Sequence, residues 1–438
     1  MENNAEREGL RSGETALVLH PFIKKNEKNQ LRDPESRLVE AVSLTAAISL
    51  DVFHAEVVSL NAPKPGTLFG TGKIEELGKF IKNSHIDVVI IDGPVTPVQQ
   101  RNLERAWKVK IVDRTGLILE IFGERAQTRE GGLQVELAHL SYQRTRLVRS
   151  WTHLERQRGA LSFVGGPGES QLEIDRRLID DRITKIKRQL SSVVRTRELH
   201  RAKRKKVPYP IVALVGYTNA GKSTLFNRLT NSDVFAKDLL FATLDPTMRK
   251  ISLPGGQTVI LSDTVGFISD LPTELVAAFR ATLEEVLEAD LIVHVRDITH
   301  TDTEAQKKDV FDVLSRLGIK ASDDNVSYLE VLNKVDLLEE EEKSILLNSM
   351  ERSENTSIIS AVTGEGTDAF LALVETMLTA RQTLLSLDLP AADGATLSWV
   401  YRHGTVISRT DQEDMVNIEV KLSNENRGRL EKMLNIRL

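Results

Sequence analysis

The chain of 438 residues contains no cysteine. Disulfides, thiolate nucleophiles and cysteine-bound zinc or iron–sulfur centres are therefore excluded, and a reducing compartment is weakly favoured. Long apolar runs are missing as well, and none approaches the roughly 20 residues that span a bilayer. The opening residues, MENNAEREGL, are polar and lack the apolar centre of a secretion signal. A cytoplasmic location is expected.

What remains is a soluble, globular composition, 40% hydrophobic and 28% charged, with length for about three domains. The net charge of -5 conceals an asymmetry. From Arg144 to Lys206 there are 18 Lys and Arg against 7 Asp and Glu, a net of +11, so the rest of the chain carries -16. A basic segment on an acidic body suits a polyanionic partner such as nucleic acid, although a solvated helical arm has the same composition.

Between residues 15 and 120, the strand-like runs TALVLH, DVVIID and VKIVD alternate with amphipathic stretches, which predicts a small parallel α/β domain. Its GTLFGTGK segment (Gly66 to Lys73) is not a phosphate loop, because Thr67 and Ile74 stand where that loop needs glycine and serine or threonine. Leu133, Leu137, Leu140, Leu147, Trp151 and Leu154 keep a 4,3 spacing broken once by Arg144, and Ile179, Ile183, Ile186, Leu190 and Val193 do the same. That period predicts a coiled-coil seam. The glycines and proline of RGALSFVGGPGES (Arg158 to Ser170) cannot continue a helix, so the segment reads as a long antiparallel hairpin whose tip carries Leu161, Phe163 and Val164. A 30-residue arm reaches about 45 Å. The expected division is an N-terminal α/β domain at 1–132, the hairpin at 133–206, a nucleotide-binding α/β domain at 207–382 and a small C-terminal α/β module at 383–438. In that module, LSWVY and MVNIEVKL read as period-two patches before a final helix.

The chemistry is concentrated in residues 211–361. Gly216-Tyr217-Thr218-Asn219-Ala220-Gly221-Lys222-Ser223, followed by Thr224, fits G-x-x-x-x-G-K-[ST] between an apolar strand and a helix. Its N–H groups can wrap phosphates, with Lys222 on the β/γ-phosphates and Ser223 on magnesium. Asp263, at the end of a strand, suits the magnesium shell, and the Gly266 N–H suits the γ-phosphate. Asn333-Lys334-Val335-Asp336 ends another strand. Asp336 can accept from N1 and N2 of guanine, Asn333 can brace the loop and the Lys334 stem can lie along the base. Ser360 and Ala361, in SAVTGEG, would close on the guanine. Four such elements in order, each at a strand end, mark a GTP-binding domain: a doubly wound, mostly parallel P-loop sheet. FATLDPT (Phe241 to Thr247) is the expected first switch, with Thr243 as the threonine that closes over magnesium and γ-phosphate and Thr247 as its alternative. After Gly266, where a glutamine often orients the attacking water, stands Phe267.

With these motifs, and with FGTGKIEEL, VDRTGLILEIFGERAQTREGGLQVELAHLSYQRTRL and GGPGESQLEIDRR, the chain resembles the HflX family of ribosome-associated GTPases, related to Obg-type G proteins. The resemblance implies GTP hydrolysis stimulated by the large ribosomal subunit, rRNA contacts by the hairpin and the N-terminal domain, and splitting or rescue of stalled or idle ribosomes under stress. It also implies that an apolar residue at the glutamine position is ordinary here. Either ribosome docking supplies the missing stabilisation, or a potassium ion held by Asn219 does, unless Asn219 only serves its turn. Other functions consistent with the motifs are a GTP-dependent ribosome-assembly or RNA-processing factor and a GTP-gated scaffold for a protein partner. No sequence feature demands a dimer.

Overall fold

The computed structural model describes residues 10, 12–24, 32–158, 171–204, 209–231, 241, 247–270, 286–319, 327–350, 355–380, 382–412 and 414–434. The N-terminal unit is built on four parallel strands, β1 (Thr15–Ile23), β2 (Asp51–Leu60), β3 (Val88–Ile91) and β4 (Lys110–Asp113), in the order β2-β1-β3-β4. Helices α1 (Pro34–Ala46), α2 (Thr71–Asn83), α3 (Pro97–Trp107) and α4 (Arg114–Arg125) connect and cover them. Their starts are written in the sequence. Asp33 accepts from the Ser36 N–H with Pro34 in the first turn, and Thr96 and Gln99 form a reciprocal capping box before α3. Asp113 caps α4 by accepting from the Gly116 N–H at 2.8 Å. Strand β2 has no counterpart among the expected strands. It lies at the sheet edge and is largely solvated, so its sequence lacks the apolar run of β3.

Two long helices follow, α5 (Arg129–Arg158) and α6 (Gln171–Arg204), packed against each other. At 34 residues α6 extends about 51 Å. Ile183 and Ile186 are buried as the seam requires, but on α5 Leu133, Leu137 and Leu140 are only half-buried; among the described residues of α5 those that disappear from solvent are Gly131, Gln134, Val135 and Ala138. The seam expectation is therefore corrected for the base of α5, which has a second partner: Val135 and Ala138 join the core formed by α1, α4 and the N-terminal sheet. Arg144, the break in the spacing, pairs with Asp180 across the hairpin, and Arg182 pairs with Glu136. The tip, including Leu161, Phe163 and Val164, lies outside the described residues.

The nucleotide-binding unit has six strands in the order β10-β9-β8-β5-β7-β6: β5 (Ile211–Val215), β6 (Thr247–Ser252), β7 (Thr258–Asp263), β8 (Leu291–Asp297), β9 (Ser327–Asn333) and β10 (Thr356–Ile358). Only β6 runs antiparallel to its neighbour. Its helices are α7 (Lys222–Thr230), α8 (Thr303–Arg316), α9 (Glu340–Met350) and α10 (Thr367–Ala380). The C-terminal module is an antiparallel sheet, β11 (Gln382–Pro390), β12 (Thr405–Asp411) and β13 (Met415–Ser423), with α11 (Gly394–His403) and α12 (Asn424–Leu434). LSWVY lies in α11 and is not a strand. Asp393 caps that helix through the Thr396 N–H, and Leu397 and Val400, one turn apart, face the core. Among the described residues no helix is long and apolar enough to cross a membrane.

Candidate guanine-nucleotide site

The site forms where the C-terminal ends of β5, β7 and β9 meet, the crevice in which open α/β sheets bind ligands. The loop from Gly216 to Gly221 leaves β5 and enters α7. Gly216 has φ +152° and lies against the next strand, where a Cβ would come within 2.2 Å of the Val295 carbonyl oxygen. At Gly221, φ +93°, a Cβ would meet the Asn333 amide at 2.1 Å. No other residue type fits either place.

Asn333 ties the loop to the segment expected to recognise the base. Its Nδ2 donates to the Ala220 carbonyl at 2.8 Å, and its Oδ1 accepts from the Ala361 N–H at 2.9 Å. Ser360 is fully buried, and its hydroxyl accepts from the Thr363 N–H at 3.1 Å. Lys334 has a positive φ and pairs with Asp297 at 2.7 Å, while Asp336 sits half-exposed on the following 3-10 turn, Val335–Leu337. Arg228 of α7 was not singled out by sequence reasoning. It donates to the carbonyls of Ala361 and Val362 and so clamps the helix of the phosphate loop to the loop expected to close on guanine.

On the phosphate side, Lys222 is buried and donates from Nζ to the Tyr217 carbonyl at 2.7 Å. Burial pushes its ammonium down to about 8 against the opposing attraction of Asp263. Ser223 Oγ donates to Asp263 Oδ2 at 2.7 Å. This pair of hard oxygen donors at the foot of the loop fits magnesium, which takes one or two protein oxygens and completes its shell with phosphate and water. Thr224 follows, half-buried in the first turn of α7. The Thr218 hydroxyl is buried without a hydrogen-bond partner among the described residues, a polar group turned into the loop. Asn219 is exposed at the crest with φ 60°, a conformation asparagine tolerates better than most residues. Thr243 lies outside the described residues, and Thr247 opens β6 directly opposite Asp263.

Phe267 does not face the phosphate side. Its ring is 1% exposed and belongs to a core that holds Tyr217, Phe241 and Val286 together with N-terminal residues such as Phe122. Phe122 of α4 and Phe241, the first residue of FATLDPT, meet edge to face at 4.5 Å between ring centres. The Phe267 backbone also pairs with the phosphate loop. Its N–H donates to the Gly216 carbonyl at 3.0 Å and its carbonyl accepts from the Thr218 N–H at 2.8 Å. The position that often carries a water-orienting glutamine is here an anchor between two units of the chain.

Below that anchor lies a buried polar cluster that sequence reasoning missed. Arg114, the first residue of α4, is held by Asp92 at 2.5 Å and by Glu40. It donates to the Ser269 hydroxyl at 2.8 Å and to the Ser269 carbonyl at 3.2 Å. The Tyr217 hydroxyl donates to Glu40 at 2.5 Å and accepts from the Ser269 N–H at 2.9 Å and from Arg32 at 3.1 Å. His20 completes the cluster on Asp92 at 2.8 Å. Burial alone would raise the Glu40 carboxyl, but the Arg114 guanidinium outweighs it and holds the group below its ordinary value. Asp92, against its own burial, is held well below the carboxylate range in the same way, by Arg114 first and then by His20 and Arg37. Both carboxylates are therefore ionised at neutral pH. The only sequence signal was the polar residues closing strand-like runs, Asp92 and the Asp113-Arg114 pair.

Similarity to known proteins covers nearly the whole chain. Residues 35–123, 125–204, 211–334 and 345–437 match family profiles described respectively as GTP-binding GTPase N-terminal, GTP-binding GTPase middle region, 50S ribosome-binding GTPase and HflX C-terminal domain. The chain is 48% identical over 406 residues to GTPase HflX of Magnetococcus marinus, covering 92% of each protein. It is 41% identical over 412 residues to GTPase HflX of Escherichia coli, covering 94% of each. Among solved structures it is similar to a GTP-binding protein from Sulfolobus solfataricus in complex with GDP, at 23% identity and a TM-score of 0.43, over 84% of this chain and 99% of that one.

Proposed function

Since the chain belongs to the HflX family of GTPases, we propose that its GTP hydrolysis serves as a switch for docking on the large ribosomal subunit, and that docking splits or rescues stalled or idle ribosomes in the cytoplasm. The observation that carries this reading is the buried Phe267. A site without a water-orienting side chain at that position hydrolyses slowly by itself and gains its rate when a partner fixes the switches. In other systems a partner's arginine is worth roughly 10³ to 10⁵ in rate.

In this reading Lys222 neutralises the β/γ-phosphates, the loop from Gly216 to Thr224 wraps them with the N–H groups it has free, and the Gly266 N–H meets the γ-phosphate. Ser223, Thr243 and Asp263 would hold magnesium, which would supply charge neutralisation to the phosphates. Asn333, Lys334, Asp336, Ser360 and Ala361 hold the guanine, with Asp336 accepting two bonds from its edge. Asn219 serves the turn of the loop, with a potassium ion held beside the phosphates as its alternative role. The basic helices α5 and α6 contact rRNA phosphates, for which Lys185, Lys187 and Arg188 stand exposed on α6.

The test is single-turnover GTP hydrolysis in potassium buffer with and without purified large subunits. A large acceleration by the subunit is expected. Subunit binding with no acceleration would remove the ribosome as the partner that completes the site.

A further inference from the structure

The segment after Asp263 is gripped from outside the nucleotide-binding unit. Gly266 lies so close on the phosphate loop that a side-chain carbon there would come within 2.9 Å of the Thr218 α-carbon and 3.1 Å of Lys222 Nζ. Lys222 meanwhile spends its ammonium on the Tyr217 carbonyl. A γ-phosphate oxygen bound by Lys222 sits about 2.7–2.9 Å from Nζ. In the reading above the γ-phosphate meets both Lys222 and the Gly266 N–H, where Gly266 is packed this closely on the phosphate loop, so its entry draws on Gly266 and, with it, Phe267 and Ser269. Ser269 is the residue that Arg114 and the Tyr217 hydroxyl pin in place. A diphosphate meets Lys222 through its β-phosphate but carries no γ-phosphate to reach Gly266, and leaves the pin undisturbed.

We propose that Glu40, Arg114 and Ser269 form a latch that sets the discrimination between GTP and GDP, by opposing the lift of Gly266 that only the γ-phosphate requires. This inference rests on the reading of Asp263 to Gly266 as the γ-phosphate side of the site. Glu40 and Arg114 are positioning residues, since neither touches nucleotide. They act through Ser269, which both contact: Ser269 Oγ accepts from Arg114 at 2.8 Å and donates to Glu40 at 3.2 Å. The arrangement has reason to be stiff. Arg114 is buried between two carboxylates, and breaking one member of such a set leaves an uncompensated charge. The latch also faces the helical arm. Asp113, next to Arg114, caps α4 and accepts from Tyr142 of α5 at 2.6 Å as well as from Arg146. By linkage, whatever GTP does to the latch, undocking the latch does equally to GTP affinity.

The experiment compares dissociation constants for GDP and for a non-hydrolysable GTP analogue in the full-length protein and its Ser269→Ala and Glu40→Gln variants. Ser269→Ala removes two charge-assisted hydrogen bonds from a buried cluster, to Arg114 and to Glu40, and the ratio of analogue to GDP affinity is expected to rise about tenfold or more. Glu40→Gln should move the ratio the same way, with the double variant falling short of the sum because the three groups share one network. GDP affinity within about twofold of the parent shows that the fold is intact. If Glu40→Gln does not fold, Ser269→Ala decides alone. An unchanged ratio, or equal loss for both nucleotides, overturns the latch. Asp263→Ala separates the latch from its premise. If that variant hydrolyses GTP like the parent, the γ-phosphate reading fails. If it loses hydrolysis while the other two keep the parental ratio, the latch alone fails.

Discussion

Replacing Phe267 by glutamine restores, on paper, the residue that orients water in many GTPases. The structure leads to the opposite expectation. The ring is fully buried in a core that joins the nucleotide-binding unit to α4, and its neighbours there include Tyr217 and Phe241. Removing a buried phenylalanine costs about 3–5 kcal/mol. Glutamine recovers part of the volume, but its amide enters a site without partners, which costs about 1–3 kcal/mol for each unsatisfied group. The net loss is about 3–5 kcal/mol, and at a slope of about 2–3 kcal/mol per molar urea the unfolding midpoint falls by about 1–2.5 M. The rate should not recover, because the side chain at 267 points into the core and away from the phosphates. Two assays decide: urea unfolding followed by tryptophan fluorescence, and single-turnover hydrolysis by the protein alone. A Phe267→Gln variant as stable as the parent and hydrolysing GTP a hundredfold faster would refute the assignment of Phe267 as an anchor.

Asn333→Ala removes the brace on both Ala220 and Ala361, so GDP and GTP affinities should fall together by about 10- to 100-fold in calorimetric titration, about 1.4 kcal/mol per tenfold. Lys222 titrates near 8 in the nucleotide-free protein, and phosphate binding requires its proton, so affinity should fall with pH above 8, by up to about tenfold per unit, accompanied by measurable proton uptake. The stability of the nucleotide-free protein should move the other way. Its Lys222 is depressed below the unfolded value of 10.5, so between 8 and 10.5 the unfolded chain holds more protons and unfolding free energy rises with pH. Changing Lys185, Lys187 and Arg188 of α6 to glutamate should weaken binding to large subunits and flatten its salt dependence, with the slope of log K against log salt falling by about 0.7–0.9 for each rRNA phosphate that is no longer neutralised. Exchanging potassium for sodium should leave the intrinsic rate within about twofold; a large drop would restore Asn219 as an ion ligand, where the ion supplies charge like an arginine.

What could be read from the sequence was whatever local chemistry fixes. The phosphate loop, Asp263 and Asn333 to Asp336 follow apolar strands, and Gly216 and Gly221 stand where no other residue fits. That Asn333 to Asp336 and Ser360–Ala361 follow neighbouring strands could likewise be read from the order of the motifs. LSWVY was misread because five residues do not separate a period of two from one helical turn, and the Asp393 cap that decides the matter lies just outside the patch. The strand β2 was missed because an edge strand need not be apolar. The seam on α5 was half right, since the spacing could not say that the N-terminal core competes for the base of that helix. The cluster around Arg114 was hard to read for a different reason. Its members lie at positions 20 to 114 and at 217 and 269, and only the docking of two units completes it.

That separation along the chain bears on how the protein is made. Arg114 and Ser269 are 155 residues apart, and Glu40 and Tyr217 are 177 apart. Synthesis at about 5–20 residues per second puts roughly ten seconds or more between the N-terminal member and its partner. During that interval the nascent N-terminal unit already contains Glu40, Asp92 and Arg114, so the guanidinium can be neutralised before anything arrives to cover it. Phe122 has no such provision. Its ring packs edge to face on Phe241, and the core it belongs to is completed only once part of the second unit has been translated.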